Sequence, residues 1–153
     1  MTPRLNFRDV APDTLEAMLD LESRVRASGL EPSLIELVKT RASQINGCAY
    51  CIHMHTRDAR ARGETEERLY LLAAWRESPL YTPRERAALT WTESLTRLAE
   101  TGAPDADYEA ARAEFSPEEM AKLTLLIVAI NGWNRFAVGF RAVHPVEAAS
   151  AAA

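Results

Sequence analysis

Residues 46–55 read Asn46-Gly47-Cys48-Ala49-Tyr50-Cys51-Ile52-His53-Met54-His55. The Asn-Gly pair ends one run with helical periodicity, and a second helical run opens at or near Cys48. Both cysteines of the 153-residue chain lie here, three residues apart, and His55 follows the second by four residues. Side chains three, four and seven residues apart share one side of a helix. The stretch therefore predicts a helical hairpin in which two thiols and an imidazole lie on one face.

The rest of the chain is also patterned for helices, and no run shows the period-two alternation of a strand. Thr82 before Pro83 and Ser116 before Pro117 are typical helix starts. The predicted helices cover residues 12–26, 31–45, 48–62, 65–75, 83–100 and 105–115, and a last helix follows Ser116. We therefore predict an all-α, single-domain bundle of about six or seven helices over residues 1–153, with a frayed tail at 148–153.

The last predicted helix is the most apolar of the chain. Its apolar residues at 123 and 125–130 cover nearly every direction around the helix. Such a helix is buried on most sides or lies at a contact between subunits.

The composition is that of an ordinary soluble globular protein, with 47% hydrophobic and 26% charged residues and a net charge of −4. An acidic balance argues against a general nucleic-acid binder. The first 13 residues lack the apolar core of a signal peptide, and no apolar run is long enough to span a bilayer. We expect a cytoplasmic protein with neither nucleic acid nor membrane as a partner.

In a reducing compartment, a lone C-x-x-C pair is typical of redox chemistry or metal binding rather than of a structural staple. A helix N-terminus lowers the pKa of a thiol there, because its unpaired N–H groups favour the thiolate, and a nearby imidazole can accept the proton. Cα atoms three residues apart on a helix are about 5 Å from each other, within disulfide reach. Cys48 and Cys51 can therefore cycle between dithiol and disulfide.

Other interpretations of the same residues stay open. Both cysteines can be small buried hydrophobes, or Cys48, Cys51 and His55 can bind zinc with His53 or Glu36 as a fourth ligand. His53 points away from the thiol face and is expected at the surface without a catalytic role. His144, beyond the last helix, is expected to be structural.

Glu36 lies opposite the apolar stripe of its own predicted helix. One interpretation is a solvated carboxylate. The other follows from the small polar residues Thr40, Ser43 and Gly47 on the same face, against which the thiol helix could fold back closely.

The spacing of a glutamate, eleven residues and then C-x-x-C-x-x-x-H, here Glu36, Cys48, Cys51 and His55, resembles that of the AhpD-like alkylhydroperoxidases of the carboxymuconolactone decarboxylase family. The supporting stretches are Tyr81-Thr82-Pro83-Arg84-Glu85-Arg86-Ala87-Ala88-Leu89-Thr90-Trp91, Ile130-Asn131-Gly132-Trp133-Asn134-Arg135 and His144-Pro145. The resemblance extends from the first predicted helix to Pro145.

The resemblance implies an all-helical fold that assembles into trimers or hexamers through helix packing. It also implies that Cys51 attacks a peroxide, that Cys48 resolves the product, and that Glu36 and His55 relay the proton, directly or through water. Tyr50 departs from the histidine found between the cysteines of larger, two-domain-sized AhpD proteins. Members that decarboxylate a lactone lack the thiol pair, which argues against that activity here.

The resulting hypothesis is a thiol-dependent peroxidase that reduces organic hydroperoxides or hydrogen peroxide. It requires an external dithiol reductant and neither a metal nor an organic cofactor. Two alternatives are a redox-sensing or disulfide-exchanging protein with little peroxidase turnover, and a zinc-binding helical module.

Overall fold

The computed structural model describes residues 2–146. In this part of the chain there are nine α-helices and one 3₁₀ turn, joined by loops. The helices are α1 (Phe7–Val10), α2 (Pro12–Arg26), α3 (Pro32–Ile45), α4 (Ala49–Ala61), α5 (Glu66–Leu71), α6 (Pro83–Thr96), α7 (Leu98–Thr101), α8 (Asp105–Arg112) and α9 (Pro117–Gly139). Residues 2–146 contain no strand, so the all-α prediction is confirmed. The tail predicted at 148–153 lies outside the described residues.

Seven of these helices correspond to the predicted ones, and the two additional helices are single turns. Helix α1 has four residues, too few to show a periodic pattern. Helix α7 overlaps the end of the single helix predicted at 83–100, which is wrong as one element because the backbone leaves the helical conformation at Arg97. The helix predicted at 65–75 ends earlier, because the chain tightens into the 3₁₀ turn Leu72–Ala74 after α5.

Two capping boxes start the long helices α6 and α9. In α6 the Thr82 hydroxyl accepts the N–H of Glu85, and the Glu85 carboxylate accepts the N–H of Thr82. Ser116 and Glu119 repeat this arrangement in α9. Each box satisfies backbone donors that have no partner inside the helix.

The main core lies where α2, α3, α6, α8 and α9 meet. Leu123, Leu126, Ile127 and Ile130 form the buried stripe of α9. Of the apolar residues at 123 and 125–130, Leu125 and Val128 form one exposed side (37% and 55% exposed) and the other five are buried, so burial on most sides is confirmed. A subunit contact on that side stays a prediction. No helix within residues 2–146 is both long and apolar enough to cross a membrane.

The turn between α3 and α4 is fixed from two directions. Gly47 adopts a φ of +64°, a conformation that side-chain-bearing residues rarely adopt. The Asn46 side-chain amide donates to the side-chain oxygens of Asn131 (3.0 Å) and Asn134 (2.8 Å) on α9. The Asn134 amide in turn donates to Ser43 Oγ at 3.0 Å. Helix α9 therefore holds the turn that precedes Cys48.

Candidate redox site

The two cysteines occupy the first turn of α4. Cys48 is the N-cap residue, and its sulfur accepts the backbone N–H of Cys51 at 3.3 Å. The sulfurs are joined in a disulfide whose Cα atoms are 5.4 Å apart, as helical spacing predicts. Each cysteine is only 2% exposed. In the reduced protein, the unpaired N–H groups of this helix end would favour a thiolate at either sulfur.

A buried carboxylate and imidazole pair lies one turn further along. His55 Nδ1 is 2.9 Å from Glu36 Oε2, and the two residues are 5% and 6% exposed. The carboxylate is therefore buried rather than solvated. Thr40 and Ser43, on the same side of α3 as Glu36, are also buried, and α4 packs against α3. A helical wheel of α3 alone could not show that Glu36 is covered by a second helix.

The contact sets the roles of the two ring nitrogens. An ionised Glu36 accepts a hydrogen bond from Nδ1–H, which leaves Nε2 of the neutral imidazole as the acceptor. The Arg62 guanidinium lies 3.9 Å from the other oxygen of Glu36. The pair is thus arranged to accept a proton at Nε2.

The residues proposed as zinc ligands are only partly brought together. Glu36 and His55 meet, and with Asp58 they form a group whose candidate ligand atoms lie within 4.8 Å of one another. The two sulfurs, bonded to each other, do not belong to this group. His53 instead stacks on His144, with ring centroids 4.8 Å apart. It is partly exposed, as predicted.

A cavity of about 410 Å³ lies beside Cys51. The residues that line it are mostly apolar or aromatic: Pro3, Leu5, Asn6, Phe7, Arg8, Tyr50, Cys51, Met54, Trp133, Phe136, Ala137, Phe140, Ala142 and Val143. Cys48 is not among them. The sequence analysis missed this cavity. The one available signal was the helical spacing of Trp133, Phe136 and Ala137 on α9 and of Phe140 at its C-terminal cap.

Comparisons with known proteins find related sequences and structures. The sequence model of the carboxymuconolactone decarboxylase family matches residues 12–94, a range that contains the glutamate, both cysteines and the histidine. The uncharacterized protein YdfG of Bacillus subtilis is 41% identical over 138 residues, which cover 90% of this chain and 94% of YdfG.

Solved structures show the same fold. A protein of unknown function from Agrobacterium tumefaciens, suggested to be the antioxidant defence protein AhpD, is 51% identical with a TM-score of 0.93. That match covers 95% of this chain and 100% of the other. The debrominase Bmp8 matches with a TM-score of 0.79 at 18% identity, over 92% of this chain and 74% of its own. At that identity the likeness concerns the fold alone.

Proposed function

The chain belongs to the carboxymuconolactone decarboxylase family, and within that family we propose that it is a thiol-dependent peroxidase. The Cys48–Cys51 pair would reduce organic hydroperoxides or hydrogen peroxide by cycling between dithiol and disulfide. One observation carries the proposal. The two thiols lie at the N-terminus of α4, one turn before a histidine whose other nitrogen contacts a buried carboxylate.

The first step is removal of a proton from Cys51. His55 accepts it at Nε2, directly or through a water molecule, while Glu36 holds the ring through Nδ1. The N-terminal end of α4 stabilises the thiolate that results. Burial of the Glu36–His55 pair supports this role, because a fixed acceptor needs little rearrangement during the reaction.

The thiolate then reacts with the hydroperoxide. Cys51 attacks the terminal peroxide oxygen, the O–O bond breaks, and the alcohol leaves after taking up a proton. Cys51 becomes a sulfenic acid. Cys48 attacks its sulfur, the disulfide forms, and the hydroxyl group leaves as water. An external dithiol returns two electrons and two protons to the pair.

The choice of Cys51 as the attacking residue is supported by the cavity, since Cys51 lines it and Cys48 does not. A peroxide in the cavity would meet Cys51 first. The proposed setting is the cytoplasm, where a dithiol reductant keeps the pair reduced. We further propose a homo-oligomer, a trimer or hexamer, packed through the exposed apolar side of α9, which includes Val128.

Peroxide consumption under a dithiol reductant tests the function. We expect Cys51→Ser to abolish turnover. Cys48→Ser should form no intramolecular disulfide, so its turnover should be slow and depend on direct attack of the external dithiol on the Cys51 sulfenic acid. Circular dichroism checks that both variants are folded. Sustained turnover in Cys51→Ser contradicts the proposal. Oxidation of the wild-type pair by peroxide without repeated turnover would favour the redox-sensing alternative.

A further inference from the structure

The N-terminal segment forms one wall of the cavity beside Cys51. Arg4 attaches this segment to the end of α9, where its backbone N–H donates to the Phe140 carbonyl at 3.0 Å and its guanidinium donates to the Gly139 carbonyl at 3.1 Å. The Phe7 ring packs against Phe136, with centroids 4.6 Å apart. The cavity therefore lies between residues 3–8, the start of α4 and the C-terminal part of α9.

This cavity is larger and more apolar than hydrogen peroxide needs. Its volume of about 410 Å³ lies in the usual range of roughly 300–1,000 Å³ for small organic ligands. Aromatic side chains from three parts of the chain line it, among them Phe7, Tyr50 and Trp133. A hydrocarbon body placed against them is removed from water, whereas hydrogen peroxide has no apolar surface to bury.

One charged residue, Arg8, stands among the described residues that line the cavity. Its acidic neighbour is engaged elsewhere, because Asp9 accepts a hydrogen bond from the Asn6 amide at 2.6 Å. Within residues 2–146 the Arg8 guanidinium makes no hydrogen bond or ion pair. A guanidinium presents paired donors that match a carboxylate. An apolar wall with one unpaired cation fits an amphipathic anion.

We propose that this cavity selects a hydroperoxide that carries both a hydrocarbon body and a carboxylate, of the fatty-acid hydroperoxide class. The hydrocarbon lies against the aromatic wall, and Arg8 binds the carboxylate. The reaction rests on the proposed peroxidase function. Cys51 takes the terminal oxygen, the corresponding hydroxy acid leaves, and the external dithiol reduces the disulfide.

Binding is tested without the reaction. The probe is the hydroxy acid derived from linoleic acid, which has no O–O bond, and the matched ligand is its methyl ester. Both are titrated calorimetrically into the oxidised protein below the critical micelle concentration. We expect the acid to bind about three- to fivefold more tightly than the ester, as for an exposed ion pair.

Variants assign this preference to residues. Arg8→Gln should bring the ratio of acid to ester affinity to about one. Arg24→Gln removes the same charge from an exposed position outside the cavity and should keep the ratio. Ala137→Phe fills the cavity and should weaken both ligands about tenfold. Equal binding of acid and ester by the wild type, or an unchanged ratio in Arg8→Gln, overturns the role of Arg8. Unchanged binding in Ala137→Phe contradicts the proposal that the ligands bind in this cavity.

Kinetics then separate this inference from the function on which it rests. The thiol-loss rate of the reduced protein is measured with linoleic acid hydroperoxide, its methyl ester and hydrogen peroxide. We expect the acid to react fastest and hydrogen peroxide slowest. If hydrogen peroxide reacts as fast as the acid, the peroxidase stands and the substrate class is overturned. If the hydroxy acid binds as expected and no hydroperoxide oxidises the pair, the peroxidase function itself is wrong.

Discussion

Helix α3 buries charged side chains at Glu36, Lys39 and Arg41, and the first two, three residues apart, differ in the chemistry of their partners. Lys39 is 2% exposed and its ammonium donates to Glu22, which also accepts a hydrogen bond from Arg26 at 3.1 Å. Burial raises the pKa of Glu22, but the hydrogen bonds and charges of Lys39 and Arg26 outweigh this effect and hold the pKa below its usual value. In this cluster two cations contact one buried carboxylate.

Glu36 is buried to a similar degree, but its partner is an imidazole. Histidine is the side chain whose ordinary pKa lies close to neutrality, so it can gain and lose a proton during a reaction. Lysine keeps its charge throughout that range. The difference teaches that burial of a carboxylate does not by itself mark a reactive site. Whether a buried carboxylate belongs to a reactive site depends on the side chain that it contacts and on how close that side chain lies to a nucleophile.

The largest expected effect on stability concerns the buried Lys39–Glu22 ion pair. Lys39→Met leaves the buried Glu22 carboxylate with Arg26 as its remaining cation, and we expect a loss of about 3 kcal/mol in unfolding free energy. The additional change Glu22→Gln should recover part of this loss, because the buried carboxylate charge that has lost Lys39 is then gone. Urea unfolding measures both variants. Peroxide turnover per folded molecule should match the wild type in Lys39→Met, and a large loss there would break the distinction between the pairs.

At the Glu36–His55 pair, the corresponding substitution is Glu36→Gln. Glutamine still accepts a hydrogen bond from His55 but no longer stabilises an imidazolium, so we expect the rate of Cys51 oxidation to fall about a hundredfold. His55→Ala should have a similar effect. Because the two residues would act as one unit, the double variant should lose little more than either single one. Stopped-flow thiol oxidation measures this, and additive losses would show that the residues act independently.

The smallest effect concerns Glu119, a partly exposed carboxylate. The Ser116 N–H, the Arg84 guanidinium and the Ser116 side chain lower its pKa from 4.5 to about 2. Its stabilising contribution is therefore complete above about pH 4.5 and is lost as the pH falls toward 2. Glu119→Gln should cost roughly 0.5–1 kcal/mol at pH 7, discounted for exposure, and almost nothing near pH 2. Urea unfolding at several pH values checks this, and a loss independent of pH contradicts it.

Local signals predicted much of the fold. Prolines and capping residues locate the starts of α2, α3, α6 and α9, and Asn46-Gly47 locates the turn before the thiols. These signals are effective because they act within one or two helical turns. They say nothing about which helix covers which face, so neither the burial of Lys39 nor the exposed side of α9 was evident.

The candidate site was predictable to the same extent. Cys48, Cys51 and His55 follow one another at helical spacing, which predicts them on one face without any information from other helices. Glu36 comes from another helix, so the helical wheel did not show whether its carboxylate is solvated or buried. The family resemblance indicated its role. The cavity was not predictable, because Phe7, Tyr50 and Phe136 are far apart in the sequence and meet only when the N-terminal segment crosses α9.

The dithiol cycle is tested most directly by intact-protein mass spectrometry. The fully reduced protein is mixed with one equivalent of hydroperoxide, alkylated, and compared with an untreated sample. We predict the loss of two hydrogens, no alkylation of either cysteine, and one peptide pair linked between Cys48 and Cys51. An unchanged mass with both cysteines alkylated, or oxygen added to methionine while the thiols stay reduced, would contradict the proposed peroxidase.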